Sequence, residues 1–244
     1  MSASIIIYYI YETKMKGEHN MSQRVIKIRY NNGKEDMIDI GDRTSIDEYW
    51  FYDYRDLEDV SVHDIVSIEF PVGITALNMC ACYSFGNLES VVLPDGIEII
   101  GESAFDGCTK LTSVNCPNTV NTIGRYAFCD TSITEFLISR NIKKVGEGAF
   151  SGCDIERFDF PNTDIEVNTN GLFSHCTCLT HVSLPDCITE IMEDCFSCCK
   201  MLEDVNMPKN LKSIEDWAFQ GCRKIKFKPE DLSGLDYVSD YAFC

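Results

Sequence analysis

The sequence predicts an α/β repeat fold that is mostly β. We expect a solenoid with a parallel strand ladder on one face and short turns or 3₁₀ pieces on the other. Three observations support this: a repeat of 23 residues, an apolar–polar alternation closed by proline within each repeat, and an ordinary globular composition. Of the 244 residues, 45% are hydrophobic and 25% are charged, which is typical of a folded chain. The repeat is considered first because it determines the whole architecture.

Two segments, 88–110 and 202–224, align over 23 residues without a gap. They read LESVVLPDGIEIIGESAFDGCTK and LEDVNMPKNLKSIEDWAFQGCRK. Their shared frame begins with an aliphatic residue, followed by two variable positions, an apolar residue, one variable position, a second apolar residue and proline. Aliphatic residues follow three and six positions after the proline, and then come Ala-Phe and, three residues after the Phe, Cys. The frame recurs over 65–244 as seven full copies and one partial copy. The copies begin at Ile65, Leu88, Leu111, Ile133, Ile155, Leu179, Leu202 and Ile225.

Each part of the repeat has a structural reason. The xVxLP segment alternates apolar and polar residues, so it predicts a half-buried strand that ends at a proline unable to donate a ladder hydrogen bond. The aliphatics spaced by three and the following Ala-Phe suit a return turn. One unit has too few apolar side chains to bury them alone, so neighbouring units must stack. The Phe contributes the largest buried area of the unit.

The N-terminal flank differs from the repeats. Residues 1–20 are interpreted as a disordered tail or a leader from an upstream start codon, and both alternatives stay open. Within 21–64, two alternating runs surround Asn31-Asn32-Gly33 and predict a β-hairpin, because Asn-Gly is the strongest short hairpin signal. Five aromatics follow in Tyr49–Tyr54. They predict a cap on the first repeat, as solenoid ends require; an aromatic ligand platform is the alternative.

The C-terminus ends within the frame, at Phe243-Cys244. Three explanations stay open: a truncated chain, a terminal unit that caps itself, and self-association in which the C-terminal repeat pairs with another subunit. The shorter spacing after Pro229 favours a modified terminal unit.

The charge balance excludes several classes of partner. There are 39 acidic and 21 basic residues, a formal net charge of −18, so no nucleic acid is expected, because phosphate neutralisation needs clustered Lys and Arg. The same balance argues against docking on an anionic membrane surface. The most apolar run, Ile5–Tyr11, has seven residues, whereas a spanning helix needs roughly 20, so no membrane insertion is expected. That run also lacks the features of a signal peptide, which favours an intracellular location.

The 14 cysteines are unusual in number but regular in position. Five occupy one repeat position and predict a buried thiol ladder beneath the Phe row, because free Cys is among the most buried residue types. They are Cys108, Cys153, Cys176, Cys199 and Cys222. Disulfides between neighbouring rungs stay open. The alternative is a zinc or redox site formed by the densest cluster, which comprises His175, Cys176, Cys178, Cys195, Cys198 and Cys199.

Motifs of catalysis and cofactor binding are missing from the sequence. The four histidines lie outside recognised catalytic motifs, and neither a Walker loop nor a GxGxxG motif follows a strand. We therefore predict that the chain is not an enzyme and uses no cofactor and no resident metal.

The frame LxxVxLPxxIxxIxxxAFxxC over residues 65–244 resembles the BspA-like type of leucine-rich repeat. The Ala-Phe followed by Cys separates it from the ordinary leucine-rich repeat. The resemblance implies a right-handed curved solenoid that binds other macromolecules and carries no catalytic residue. It also suggests a cell-surface or secreted location, because such proteins are typically exported, although an export signal is not recognised here.

The predicted ligand-binding surface is the concave face, lined by the xVxLP strands. The outward side chains between the apolar positions form two columns, and these vary while the core positions stay fixed. We expect non-enzymatic recognition, adhesion or scaffolding of other proteins, and the negative charge favours basic partner surfaces. A targeting module of a larger truncated protein is a further alternative. The candidate residues are Ser67, Glu69, Ser90, Val92, Ser113, Asn115, Glu135, Leu137, Arg157, Asp159, His181, Ser183, Asp204 and Asn206.

Overall fold

The computed structural model describes residues 24–48, 50–53, 61–227 and 232–244. It is a leucine-rich-repeat solenoid that consists of two ladders of short parallel strands and a column of tight turns. Helix is confined in these ranges to short pieces: α1 at Trp50–Asp53, a 3₁₀ turn at Val62–Asp64 and one helical residue, Leu232. None of the described helices is long and apolar enough to cross a membrane. The strands are β1 Val25–Tyr30, β2 Glu35–Asp39, β3 Ser45–Ile46, β4 Ile65–Glu69, β5 Ala76–Leu77, β6 Ser90–Val92, β7 Ile99–Ile100, β8 Ser113–Val114, β9 Thr122–Ile123, β10 Lys144–Val145, β11 Arg157–Asp159, β12 Glu166–Val167, β13 His181–Ser183, β14 Glu190–Ile191, β15 Asp204–Asn206, β16 Ser213–Ile214 and β17 Tyr237–Val238.

The first ladder is formed by the xVxLP segments; following the prediction from the sequence, we call it the concave ladder and its outward side the concave face. It contains the parallel series β4-β6-β8 and, after an interruption, β11-β13-β15. The second ladder is formed by the aliphatic pairs after the proline. It contains β3-β5-β7-β9-β10-β12 and β14-β16-β17. Both ladders are parallel because successive copies of one sequence segment occupy the same place in successive turns of the solenoid.

The Ala-Phe segments form turns that are joined by hydrogen bonds from one repeat to the next. The N–H of Phe105 donates to the carbonyl of Ala127, and the N–H of Phe128 donates to the carbonyl of Ala149, both at 2.9 Å. Most of these turns also contain residues with positive φ, such as Ser103 at 49°. These turns therefore satisfy their backbone groups between repeats, as buried backbone requires.

A row of stacked phenylalanine rings forms the centre of the core. Six successive pairs have ring centroids 5.2 to 5.9 Å apart and near-parallel planes. In the first copy, where Cys82 replaces the Phe, Phe85 is fully buried and packs edge-on against Phe51 at 5.4 Å. The rings of the row belong to Phe105, Phe128, Phe150, Phe173, Phe196, Phe219 and Phe243.

The N-terminal hairpin extends the concave ladder as additional strands. β1 pairs with β2 and, on its other edge, with β4, both antiparallel, so the sheet order is β2-β1-β4-β6-β8. Trp50 and Phe51 are buried, at 5% and 3% exposure, so these two aromatics belong to the core and are not open to a ligand. Tyr49, Tyr54 and residues 1–20 lie outside the described residues. The division into a leader, a cap over 21–64 and a solenoid stays a prediction.

The concave ladder is interrupted between β8 and β11, within the copy that begins at Ile133. That copy contributes an isolated bridge from Glu135 to Arg157. On the other side of β8, the side chain of Asn115 ends the pairing with β6: it accepts a hydrogen bond from the Leu93 N–H at 2.7 Å and donates to the Leu93 carbonyl at 2.9 Å. At the equivalent step elsewhere, the Phe160 N–H donates to a backbone carbonyl, at 3.0 Å. The Asn115 amide thus takes the place of a backbone partner.

Candidate functional site

The strand register aligns most of the two predicted columns on the concave face. In the first column, Ser67, Ser90 and Ser113 are paired across β4, β6 and β8. The pairing resumes beyond the interruption through Glu135, Arg157, His181 and Asp204. In the second column the paired residues are Glu69 with Val92, and Asp159 with Ser183 and Asn206.

Asn115 and Leu137 are the two candidate residues that fall at the interruption. Asn115 is engaged with the backbone of Leu93, so its role in the structure is largely internal. Leu137 has 87% of its surface exposed. The columns therefore form two groups, one before and one after the interruption, and ligand binding by either group stays a prediction.

The hairpin adds residues to the concave face that the sequence columns did not include. Lys27 and Arg29 of β1 stand opposite Glu69 and Ser67 of β4, and Lys27 forms an ion pair with Glu69 at 2.8 Å. Together with Met37 of β2 they line a depression of about 300 Å³. The alternation in β1 identifies its outward side chains from sequence, but its pairing with β4 is visible only in the structure.

A charged array occupies the concave face after the interruption. The Arg157 guanidinium lies 2.9 Å from Asp159, and the two imidazole nitrogens of His181 face Asp159 at 3.4 Å and Asp204 at 2.8 Å. The carboxylates of Asp159 and Asp204 are 50% and 70% exposed. Because an exposed ion pair contributes only about 0–1 kcal/mol, the Arg157–Asp159 pair adds little to stability, and its charges are accessible to a ligand.

Four of the five ladder cysteines are buried in the core, as the repeat position predicts, and Cys222 is partly buried. The thiols of Cys176 and Cys199 each donate to the carbonyl of a Phe in the preceding repeat at 3.0 Å. Thr131, which replaces Cys in its copy, is also a buried donor, but its hydroxyl donates at 3.0 Å to the carbonyl of Phe128 in its own repeat. The position therefore selects a small buried donor. All 14 cysteines are free thiols.

Burial makes the ladder thiols poor nucleophiles. It raises the pKa of the Cys153 thiol to about 12 and holds the pKa of Cys176 and Cys199 well above the ordinary value. The thiolate is the form that binds metal or attacks an electrophile. These pKa shifts weigh against Cys176 and Cys199 acting as nucleophiles, and the zinc or redox site stays an alternative.

One group of potential metal ligands is found among the described residues, and it lies at the Ala-Phe turns of two adjacent repeats. It consists of Asp106, Cys129 and Asp130, whose ligand atoms lie within 4.8 Å of one another. Burial raises the pKa of Cys129 to about 12. His175, by contrast, pairs with the hydroxyl of Ser174 at 2.9 Å, and it is not part of that group.

The raised pKa of the Asp106 carboxyl predicts a pH-dependent contribution to stability. Burial raises its pKa, and the nearby Asp130 raises it further, although a hydrogen bond from Ser103 opposes the shift. The folded state then binds the proton more tightly than the unfolded state, so the contribution is greatest at acid pH and is lost as pH rises through the raised pKa. We expect Asp106→Asn to stabilise the fold at pH 7 by less than about 1 kcal/mol, since solvent screens the charge.

Urea unfolding at pH 7 and pH 4 checks this expectation. The increase in the free energy of unfolding caused by Asp106→Asn should be smaller at pH 4, where a larger fraction of the wild-type carboxyl is protonated. Asp95→Asn removes the same charge from an exposed position and serves as the control. If the free energy of unfolding increased equally in the two variants, the effect would come from net charge rather than from burial.

The comparisons with known proteins agree with this architecture. A family model described as BspA type leucine rich repeat region matches residues 37–156 and 100–226, in six copies. A leucine-rich-repeat protein of T. pallidum superposes with a TM-score of 0.66 at 24% identity, covering 73% of this chain and 87% of that one. One from Bacteroides ovatus ATCC 8483 gives 0.59 at 23% identity, covering 82% and 48%. At these identities the likeness shows the fold alone. The search of curated proteins gave no significant match.

Proposed function

This chain belongs to the BspA-type leucine-rich-repeat family, and from that membership we propose that it is a non-enzymatic recognition or adhesion module that binds other proteins through its concave face. Leucine-rich-repeat proteins are generally protein-interaction or adhesion modules, and their solenoid fold is generally non-enzymatic. The proposal names the concave face as the binding surface and a protein as the ligand.

The observation that carries the proposal is the charged array on adjacent strands of the concave ladder. Arg157, His181 and Asp204 are paired in register while the alternate residues of the same strands, Phe158 and Val182, are buried in the core. The core holds the backbone rigid, so the outward side chains are presented with little further loss of conformational freedom. Preorganisation of this kind increases affinity for a complementary partner.

The chemistry of the partner follows from charge. The chain carries a formal net charge of −18, and Glu135, Glu156 and Asp204 are exposed along the strand starts of the concave ladder. A partner with a basic surface would approach faster and dock in a preferred orientation. Its association rate should then fall as ionic strength rises.

A fourfold alanine variant of the array tests the proposal. We expect Arg157→Ala, Asp159→Ala, His181→Ala and Asp204→Ala together to weaken partner binding at least about tenfold, the equivalent of 1.4 kcal/mol. The measurement is affinity capture with quantitative mass spectrometry, followed by titration of the purified partner.

The matched control carries Lys144→Ala with Glu166→Ala, an exposed ion pair of 2.7 Å on the second ladder. It removes charges of both signs from a different face of the same solenoid. Retention of the partner by the fourfold variant, with loss in the control, would place binding on the second ladder and refute the proposal.

Self-association through the C-terminal repeat stays a prediction as a second mode of interaction. It is favoured by three large side chains that are about half exposed in that repeat. They are Tyr237 at 51%, Tyr241 at 58% and Phe243 at 42%.

A further inference from the structure

Leu137 is the most exposed large hydrophobic side chain that the structure describes, with 87% of its surface accessible. A single exposed apolar residue ordinarily requires no explanation. Leu137, however, lies in the second column of the concave face, at the interruption of the ladder, next along the column to Asp159. Its position combines three features that ordinary surface residues do not share.

The first feature is its backbone. In other copies the second-column residue bonds to the preceding repeat: the carbonyl of Ser183 accepts from the N–H of Phe160, and the carbonyl of Val92 accepts from the N–H of Phe70, both at 3.0 Å. In the part of the chain that the structure describes, the N–H and carbonyl of Leu137 have no such partner. The Asn115 side chain, which turns to Leu93, is the corresponding residue on the preceding repeat. An exposed apolar side chain therefore lies beside an unused donor and an unused acceptor.

The second feature is the acidity around it. Glu135, two residues before Leu137, is exposed and has no ion pair among the described residues. Glu156 is exposed at the start of the next strand. The nearest cation of the array, Arg157, is already bound to Asp159 at 2.9 Å. The local surface thus has uncompensated negative charge and little free positive charge.

The third feature is the rigid frame beneath the site. Phe136, the neighbour of Leu137, is 5% exposed, and its ring packs against Phe128 and Phe150 at 5.0 Å each. The segment is therefore anchored from the core side although its ladder bonds are missing. Leu137 is held outward and does not need to be ordered on binding, which favours affinity.

We propose that Leu137 is the apolar anchor of a docking site for an extended segment of a partner protein that carries an aliphatic residue between basic residues. This inference rests on the proposed function and names the partner chemistry for that same face. An extended segment can use the free N–H and carbonyl of Leu137 through main-chain hydrogen bonds, as in strand addition. The aliphatic residue covers Leu137, and the basic residues pair with Glu135 and Glu156.

A defined peptide tests the proposal directly. The probe is an end-blocked heptapeptide with a central leucine, a lysine on each side two positions away, and threonine elsewhere, labelled for fluorescence anisotropy. Two matched peptides replace the leucine by serine or both lysines by glutamate. We expect the leucine–lysine peptide to bind wild-type protein more tightly than either matched peptide, and Leu137→Ser to lower that affinity about tenfold.

Two further variants separate the apolar and the charged contributions. Glu135→Gln should weaken binding at low salt and have little effect at high salt, because screening removes the attraction in both proteins. Val72→Ser changes another exposed aliphatic residue, 73% accessible, outside the two columns, and should leave binding unchanged. Equal affinity of wild type and Leu137→Ser for the peptide, or no preference of wild type for the leucine–lysine peptide, would overturn the proposal.

Binding of the natural partner by the variants distinguishes failure of this inference from failure of the proposed function. If the fourfold array variant loses the partner while Leu137→Ser retains it, the concave face binds the partner without Leu137, and only the docking-site proposal fails. If both variants retain the partner, the concave face itself is not the binding surface.

Discussion

Phe150→Ala is expected to lower the free energy of unfolding by about 3–5 kcal/mol, the usual effect of truncating a fully buried Phe. The side chain is 0% exposed. Its ring stacks on Phe128 at 5.6 Å and on Phe173 at 5.9 Å, and it contacts Phe136 and Phe158 at 5.0 and 4.8 Å. The loss should be large because the cavity opens between rigid repeats that cannot collapse into it.

Equilibrium urea unfolding, followed by circular dichroism, measures this loss. Because each repeat contacts only its neighbours, a defect in the middle of the array should also broaden or split the transition. Leu137→Ala is the control, since a side chain 87% exposed should change stability by no more than about 0.5 kcal/mol. Asn115→Ala would be a poorer control, because the Asn115 amide makes two hydrogen bonds with Leu93. Equal midpoints for Phe150→Ala and Leu137→Ala would contradict the position of the Phe row.

Gly124→Ala is expected to destabilise the solenoid by about 1–3 kcal/mol or more, as overpacking does. A Cβ on Gly124 would lie 2.5 Å from the carbonyl carbon of Gly101 and 2.5 Å from the N atom of Glu102. Both contacts are with backbone, which cannot move aside as the end of a flexible side chain can. Gly146 stands in the same relation to Gly124, at 2.7 Å from its carbonyl carbon. The close approach of successive repeats at this point requires glycine.

Gly86→Ala provides the matched control for this prediction. A Cβ at Gly86 would meet only the Thr109 hydroxyl, at an ordinary 3.8 Å. Replacing glycine by alanine where the backbone allows it commonly stabilises by about 0.4–1 kcal/mol, since the unfolded chain loses freedom. The two variants should therefore change the melting temperature in opposite directions. A Gly124→Ala protein as stable as Gly86→Ala would show that the repeats can separate at this turn.

Much of the solenoid follows from the repeated frame alone. Ile68, Val91 and Val114 occupy one position of the frame, and the structure pairs them in register across the concave ladder. The buried cysteines and the stacked phenylalanines follow by the same reasoning. A residue type that recurs at the repeat period meets the same neighbours in every turn, so local sequence is sufficient to place it.

The candidate site was predictable in its columns but not in its chemistry. The frame identifies His181 and Asp204 as neighbours on adjacent strands, because both precede a buried valine in equivalent copies. It does not reveal that both imidazole nitrogens face carboxylates. That arrangement depends on the rotamers and charges of the outward side chains of each strand, which vary from one repeat to the next.

The sequence by itself determined the periodic part of this protein: the ladders, the Phe row, the buried thiols and the outward columns. Only the tertiary structure decided the places where periodicity fails. The antiparallel pairing of Lys27 with Glu69 joins segments 42 residues apart, and the concave ladder is interrupted at the copy that begins at Ile133, where Leu137 is exposed. Such features depend on contacts between unlike segments, which a repeated pattern cannot encode, because their energy is set only once both segments are in place.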